Sequence, residues 1–527
     1  MPLGNQSGAG RVVRCVSSPQ RSLPSRKDPP LIRSTSRSLA LLASLALALP
    51  AVALSTPPAT ASSNPAGSPA GSGRAAEAVA PIALWAPHAV TASAYRKRTW
   101  TDLGLRLTAQ GAPFELWSHR SSYDEAIRTV WHTADGDVAL PAGSMSTFSG
   151  LDGFLRIDIT PQRGGEPLHV VRKACLNGWS ERVRPDAPAR SGYPAGCWYN
   201  PFSLGSVQGI QDGWAAPILS QGRPFRLTPG SYTVTARIAS KYAAVFGLGD
   251  ADATRTVQLT VTAEDVGGGA GAPPATGRVA VPAARQPSGP QGRAPEAGPQ
   301  PDLRSLPAWG IGLSENTNYL RFSATVWNAG DSPLVVDGFR RDGEDEMDAY
   351  QYFFDAAGEQ TGYQPVGHLH WDPKPSHQHW HFEDFARYSL LDADQQETAR
   401  SRKEAFCLAN TDAVDLTVPA ADWRPENTDL STSCGDYSSL SIREVLAAGW
   451  GDTYAQYRAG QSFDIRGLPN GTYYIAVIAN PENNLAEAAT DNNVALRRIV
   501  LGGKPGHRTV RVPQVGIIDE EGYGGQG

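Results

Sequence analysis

Cysteine is scarce in this chain, five residues in 527. No stretch beyond the first fifty residues is apolar over the eighteen positions a membrane-spanning helix needs, so no membrane span is expected. Neither sign of charge dominates: the net charge is −5, which gives no basic surface for nucleic acid and no acidic tail. Between residues 80 and 265 no long stretch keeps a 3.6-residue period, and that lack turns the reading from helices to strands.

The cysteines set the compartment. Arg26, Lys27, Arg33 and Arg37 precede an apolar run from Leu39 to Leu49. Pro50 and the small-residue sites Ala51-Val52-Ala53 and Ala59-Thr60-Ala61 follow. Charged flank, short apolar run and small residues are the pattern of an export signal, so residues 1–61 are expected to be signal peptide and leader and the protein to be secreted and extracellular. Cys15 falls ahead of the run. The four cysteines left, Cys175, Cys197, Cys407 and Cys434, are an even number in an exported chain, which suggests disulfides. Nearest-neighbour pairing gives Cys175–Cys197 and Cys407–Cys434, and other pairings stay open.

What the chain does have is glycine (54) and proline (42) in abundance, the mark of linkers and turn-rich β structure. Residues 62–79 are Ala, Gly, Ser and Pro with almost nothing to bury, a flexible segment. Residues 80–265 alternate short apolar runs with turn residues. The clearest pair is Ser231 to Ile238 followed by Thr256 to Val261. An Ig-like β-sandwich is expected there, with Trp198 and Tyr199 forming core around a disulfide. Residues 266–300 are Gly, Pro, Ala and Gln, a linker loose enough to let the halves move independently. A second β-rich unit runs over 301–507, and a tail over 508–527 is expected to fray. The expected fold class is all-β, two sandwich-like domains joined by a flexible linker. Phe225 to Tyr232 is echoed by Ile465 to Tyr473, each followed by a strand, a loop and a closing strand.

The second unit carries the chemistry. In Ser376-His377-Gln378-His379-Trp380-His381 three of the ten histidines sit at every second position. An extended strand points such positions to one side, so His377, His379 and His381 aim at a common point while Gln378 and Trp380 face away. Three imidazoles suit one divalent metal of the copper or zinc type. Taken alone they leave open a zinc hydrolase, a non-haem iron oxygenase and a copper enzyme.

Residues 301 to about 507 resemble the catalytic domain of the lysyl oxidase family, the secreted copper amine oxidases. The matching pieces come in order: Pro301-Asp302-Leu303, the histidine run, Tyr388 with Leu390-Leu391-Asp392-Ala393, Lys403-Glu404-Ala405-Phe406-Cys407-Leu408, Gly451-Asp452-Thr453-Tyr454, Pro469-Asn470-Gly471-Thr472-Tyr473 and Asn492-Asn493-Val494. The resemblance implies that His377, His379 and His381 bind copper. It implies that Lys403 and Tyr454 cross-link into lysine tyrosylquinone, an electron sink for a substrate amine. The implied activity is that of a protein-lysine 6-oxidase: primary amines or lysine-containing proteins and peptides are converted with dioxygen to aldehydes, hydrogen peroxide and ammonia. A base must reach the substrate proton. Glu383 and Asp384 are candidates, and Asp384 is preferred. The resemblance also implies a calcium site from Asp302, the Leu303 carbonyl, Glu487, Asn492 and Asn493, where Ala489 replaces a ligating aspartate and Asp491 is available as a substitute.

Three departures bear on this. Arg387 stands where a histidine is common. The segment after His381 is one residue shorter. Ser376 replaces a bridged cysteine, so packing is expected to hold the copper strand. A different class of function also fits the composition: a secreted adhesion or binding protein whose oxidase-like domain is inactive.

Overall fold

The structure is a computed structural model that describes residues 79–520 apart from 179, 220–222, 264–297, 342–343, 374–378, 404, 426–433, 438 and 456–459. The expected leader, the flexible segment as far as residue 78, most of the linker and the end of the tail lie outside those residues. The fold is all-β. Two short helices, Ser240–Val245 and Asp250–Ala253, are the only ones among the described residues, and no helix there is long and apolar enough to cross a membrane.

Alternation in the sequence becomes two-sidedness in the sheets. In Gly230–Ile238 the side chains of Tyr232, Val234, Ala236 and Ile238 are buried, and in Thr254–Ala263 those of Val257, Leu259 and Val261. The two strands pair antiparallel, Val234 opposite Val257, within a six-stranded sheet. Two four-stranded sheets complete this region, and the inward faces of all three share one core. The second region repeats the plan with two six-stranded sheets and one of five strands, packed around a second core. The echo between the regions has a physical basis. The Tyr232 hydroxyl donates to the Thr228 carbonyl (2.7 Å) and the Tyr473 hydroxyl to the Pro469 carbonyl (2.8 Å), so a tyrosine pins the corner before each strand, as in other sandwich folds.

The expected independence of the halves is overturned. The described residues of both halves fall in one compact unit. The N–H groups of Leu204 and Gly205 donate to the Val414 carbonyl (2.7 and 3.2 Å), the Leu416 N–H donates to the Gly205 carbonyl (3.2 Å), and the Ser203 hydroxyl donates to the Ala413 carbonyl (2.7 Å). Apolar side chains close around these bonds: Tyr193 and Val207 meet Leu416 and Trp450, and Phe202 meets Val414, Trp327 and Ile518. The tail takes part instead of fraying. His507–Arg511 is a strand paired with Val494–Lys504, the Ile517 N–H donates to the Tyr123 carbonyl (2.9 Å), and Ile518 is buried. Trp198, expected in the core, is exposed and meets the Trp450 ring across the interface.

Candidate functional site

Tyr454 ends the strand Trp450–Tyr454, which pairs with Tyr319–Asn328 so that Asp452 lies opposite Val326 and Tyr454 opposite Ala324. Residues two apart on a strand share a side, so Asp452 and Tyr454 project together. Lys403 lies in the short segment before the strand Ala405–Phe406. Its own N–H donates to the Ser401 hydroxyl (3.0 Å), fixing the turn. The Lys403 side chain is buried, and its Nζ stands 4.6 Å from the centre of the Tyr454 ring. Phe406 closes the site edge-on to Tyr454, with ring centres 4.9 Å apart. The Tyr454 hydroxyl donates to the Cys407 carbonyl (2.9 Å) and accepts the Cys407 N–H (2.8 Å). The backbone thus grips the phenol at both lone pair and proton, and the ring is held for the lysine.

Two carboxyl groups that the sequence reading passed over complete this site. Asp452 and Glu444 are 3% and 1% exposed. Glu444 Oε2 accepts the Leu408 N–H (3.0 Å). Glu444 Oε1 and Asp452 Oδ2 are buried without a hydrogen-bond partner. Burial pushes Asp452 well above the usual carboxylate range. The Lys403 ammonium opposes that rise, Asp412 adds to it, and hydrogen bonds from Tyr454 and the Ala409 backbone oppose it. Burial likewise raises Glu444, against the Leu408 amide and Lys403 and with the help of Asp452. The Tyr454 phenol is pushed up by burial and then by Asp452, Glu444 and Tyr388. Burial thus holds both carboxyl groups and the phenol above their ordinary ranges around one buried lysine. Asp452 was visible in the sequence as the residue two before Tyr454 in a matching motif. Glu444 carried no such mark.

The histidine strand is His379–Glu383. It pairs with Gln360–Asp372 on one side and with Ala405–Phe406 on the other, Glu383 opposite Ala405, which brings it beside the segment that carries Lys403. The rings of His379 and His381 converge, with centres 4.6 Å apart and nearly perpendicular planes. His381 is buried, and its Nδ1 is 3.9 Å from the buried Asp372 carboxylate. Trp380 faces away as expected: it is fully buried, and its indole N–H donates to the Asp436 carbonyl (2.9 Å). His377 lies outside the described residues, and among the described residues no three His, Cys, Asp or Glu side chains gather closely enough to hold a metal. Two convergent imidazoles, one with a carboxylate behind it, are a donor set that suits a transition-metal ion. Glu383 is engaged elsewhere: it accepts from His370 Nδ1 (2.8 Å), which holds its carboxyl below the usual range. Asp384 occupies an exposed turn with φ 59°, a left-handed position that aspartate tolerates better than most residues.

Cys175–Cys197 and Cys407–Cys434 are disulfides. The second corrects the expectation that packing alone holds the histidine strand. Cys434 accepts the Trp380 N–H at its carbonyl (3.0 Å), and Cys407 holds the Tyr454 hydroxyl. One covalent bridge therefore joins the backbone that positions the histidines to the backbone that positions the tyrosine.

The residues of the expected calcium site also meet. Asn492 Nδ2 donates to Asp302 Oδ1 (3.0 Å), Asn493 Nδ2 to Glu487 Oε1 (2.8 Å), and the Leu303 N–H to Glu487 Oε2 (2.8 Å). The side-chain oxygens of Asn492 and Asn493 are buried and unpartnered. Burial raises Glu487, against hydrogen bonds from Asn480, Asn493 and Leu303 and with the help of Asp302. Two carboxylates and two orphaned amide oxygens fit a hard cation such as calcium, although the Arg304 guanidinium already sits on Asp302 (2.7 Å).

Residues 354–509 match the family model described as lysyl oxidase. Lysyl oxidase homolog 4 of Mus musculus is 27% identical over 140 residues, 26% of this chain and 16% of that protein. Lysyl oxidase homolog 2 of Gallus gallus is 28% identical over 137 residues, and its Homo sapiens counterpart 26% over 137, again 26% of this chain and 16% of each protein. The chain thus spans about one sixth of the length of these relatives. The match covers the histidine strand, Lys403, Tyr454 and the disulfide that ties them, so residues 354–509 of this chain are similar to the lysyl oxidase family.

Proposed function

We propose that the protein is a secreted, copper-dependent amine oxidase that deaminates lysyl side chains or small primary amines to aldehydes, consuming dioxygen and releasing hydrogen peroxide and ammonia. The observation that supports it best is the Lys403 Nζ at 4.6 Å from the Tyr454 ring, both within a buried acidic pocket. An ε-amine and a phenol at that distance need no rearrangement of the fold to be joined. His377, His379 and His381 would hold the copper, and Lys403 with Tyr454 would supply lysine tyrosylquinone. When bound, the two together supply the electron transfers between amine and dioxygen that side chains cannot perform.

The chain's own groups do the rest. Cys407 fixes the phenol oxygen, Phe406 excludes water from one side of the ring, and the buried Asp372 carboxylate lies beside the His381 imidazole. The cation site of Asp302, Leu303, Glu487, Asn492 and Asn493 would take calcium and tie the start of the second region to its last long strand. Asp384, exposed in its turn, is in this reading the candidate base for the substrate proton. The test is peroxide release from the copper-loaded, air-exposed protein over a panel of primary amines and lysine-bearing peptides. The reading predicts peroxide with at least one of them and a redox-cycling quinone stain that Lys403→Ala and Tyr454→Phe abolish. A protein with no stain and no peroxide from any amine would be the binding protein with an inactive oxidase fold.

A further inference from the structure

The pocket around Lys403 and Tyr454 contains more than a cross-link needs. A buried ammonium is not a nucleophile: the nitrogen lone pair is committed to its third hydrogen, and that proton must leave before a carbon–nitrogen bond can form. Inside a closed pocket, water does not collect it readily. Asp452 is on the same strand face as Tyr454, against whose ring the Lys403 Nζ stands, and has one carboxyl oxygen, Oδ2, buried and without a partner. An unpartnered carboxylate oxygen in a protein interior costs about 1–3 kcal/mol or more, so it calls for an explanation. Glu444 has its own buried, unpartnered Oε1, and Asp452 resists its ionisation. Tyr388 also borders the phenol, and Asp412 borders Asp452 from the neighbouring strand.

We propose that Asp452 is the group that accepts the proton of the Lys403 ammonium, freeing the amine to couple to the Tyr454 ring, with Asp412, which lies opposite Gly451 on the paired strand, as its positioning neighbour. In this step an N–H bond of Lys403 breaks, an O–H bond forms at Asp452 Oδ2, and the lone pair stays on Nζ. No oxidant enters it. The inference rests on the proposed amine oxidase function, because only a chain that builds its cofactor from Lys403 and Tyr454 has use for the transfer.

The experiment follows cross-link formation itself, by peptide mass against time, in full-length protein loaded with copper in air at pH 7 and at pH 9.5. Asp452→Asn keeps the shape and loses the base. It is expected to cross-link about 100-fold more slowly at pH 7, the usual contribution of a positioned base. At pH 9.5, where solvent takes the proton, most of the gap should close. Equal rates for Asp452→Asn and wild type at pH 7, or the same deficit at both pH values, would overturn the inference, the second by showing a structural role only. Should Asp452→Asn not fold, Asp412→Asn reads the same device. Removing the like charge makes Asp452 more acidic, so the acid limb of the cross-linking rate profile moves to lower pH, and an unmoved limb counts against the proposal. A wild-type protein that never cross-links would sink the amine oxidase reading and this inference together. Cross-linking in wild type that is indifferent to Asp452 sinks the inference alone.

Discussion

Replacing Cys407 and Cys434 with alanine separates what a disulfide does for stability from what it does for the site. The bridge closes a loop with a sequence separation of 27 residues. Constraining the unfolded chain by a loop of that length is worth about 3.5 kcal/mol at 25 °C. The bridge between Cys175 and Cys197 closes a loop of 22, worth about 3.4 kcal/mol by the same relation. The two double variants should therefore lose nearly the same stability, a large fraction of the 5–15 kcal/mol typical of folded domains. Their chemistry should differ. Cys407 holds the Tyr454 hydroxyl with both its N–H and its carbonyl, and Cys434 holds the Trp380 N–H between the two described imidazoles. The Cys175–Cys197 bridge makes none of these contacts. Guanidinium unfolding of the metal-free proteins, followed by tryptophan fluorescence, measures the first effect. The yield of cross-linked peptide after copper loading, at a temperature where both variants are folded, measures the second. Comparable destabilisation with a yield lost only in Cys407→Ala/Cys434→Ala is the expected outcome. Equal yields in the two variants would refute the idea that this bridge aligns the tyrosine with the histidines.

Other consequences can be measured separately. Lys403→Met removes the cation that balances Asp452 and Glu444, so an uncompensated buried charge should destabilise the protein by about 3–5 kcal/mol at neutral pH. Because burial raises both folded-state carboxyl pKa values, stability is fullest below their unfolded values and is lost as pH rises through the folded ones. The Lys403→Met deficit should shrink on acidification, and a Tm difference that stays constant across pH would contradict the network. Calcium should raise the Tm of the metal-free protein, by about 2.7 kcal/mol of added stability at a hundred times its Kd. Glu487→Gln should abolish the shift, and a calcium-insensitive wild type would argue that Arg304 alone neutralises Asp302. Ile518→Ala should cost about 2–5 kcal/mol, as truncation of a buried isoleucine does, and should speed proteolysis at the interface between the regions. Unchanged melting would mean that the tail does not join them.

The sequence made some of this legible and hid the rest for physical reasons. Histidine at every second position needs only the strand period to be read, and the structure keeps His379 and His381 on one side and Trp380 on the other. Lys403 and Tyr454 could be paired only through the family resemblance, since nothing local links two residues so far apart. Strands such as Leu334–Arg340 and Glu346–Phe354 escaped notice because they bury polar side chains whose partners come from distant segments. Asp337 is satisfied by Arg443 (2.6 Å), and Gln351 Nε2 donates to the Ala486 carbonyl (2.7 Å). The packing of the halves was invisible because its apolar contacts, Phe202, Val414 and Ile518 among them, sit in irregular segments with no period to reveal a buried face. Asp452 and Glu444 look in sequence like ordinary strand carboxylates, and burial alone distinguishes them.

The claim on which all of this turns is that one lysine and one tyrosine of this chain become a single covalent unit. Mass spectrometry of the proteolysed, copper-loaded protein tests it without any assumption about substrate. The account predicts one species that contains both the Lys403 and the Tyr454 peptides, absent from protein kept free of copper or of air. Recovery of both peptides separately, at unmodified mass after full copper loading in air, would contradict it.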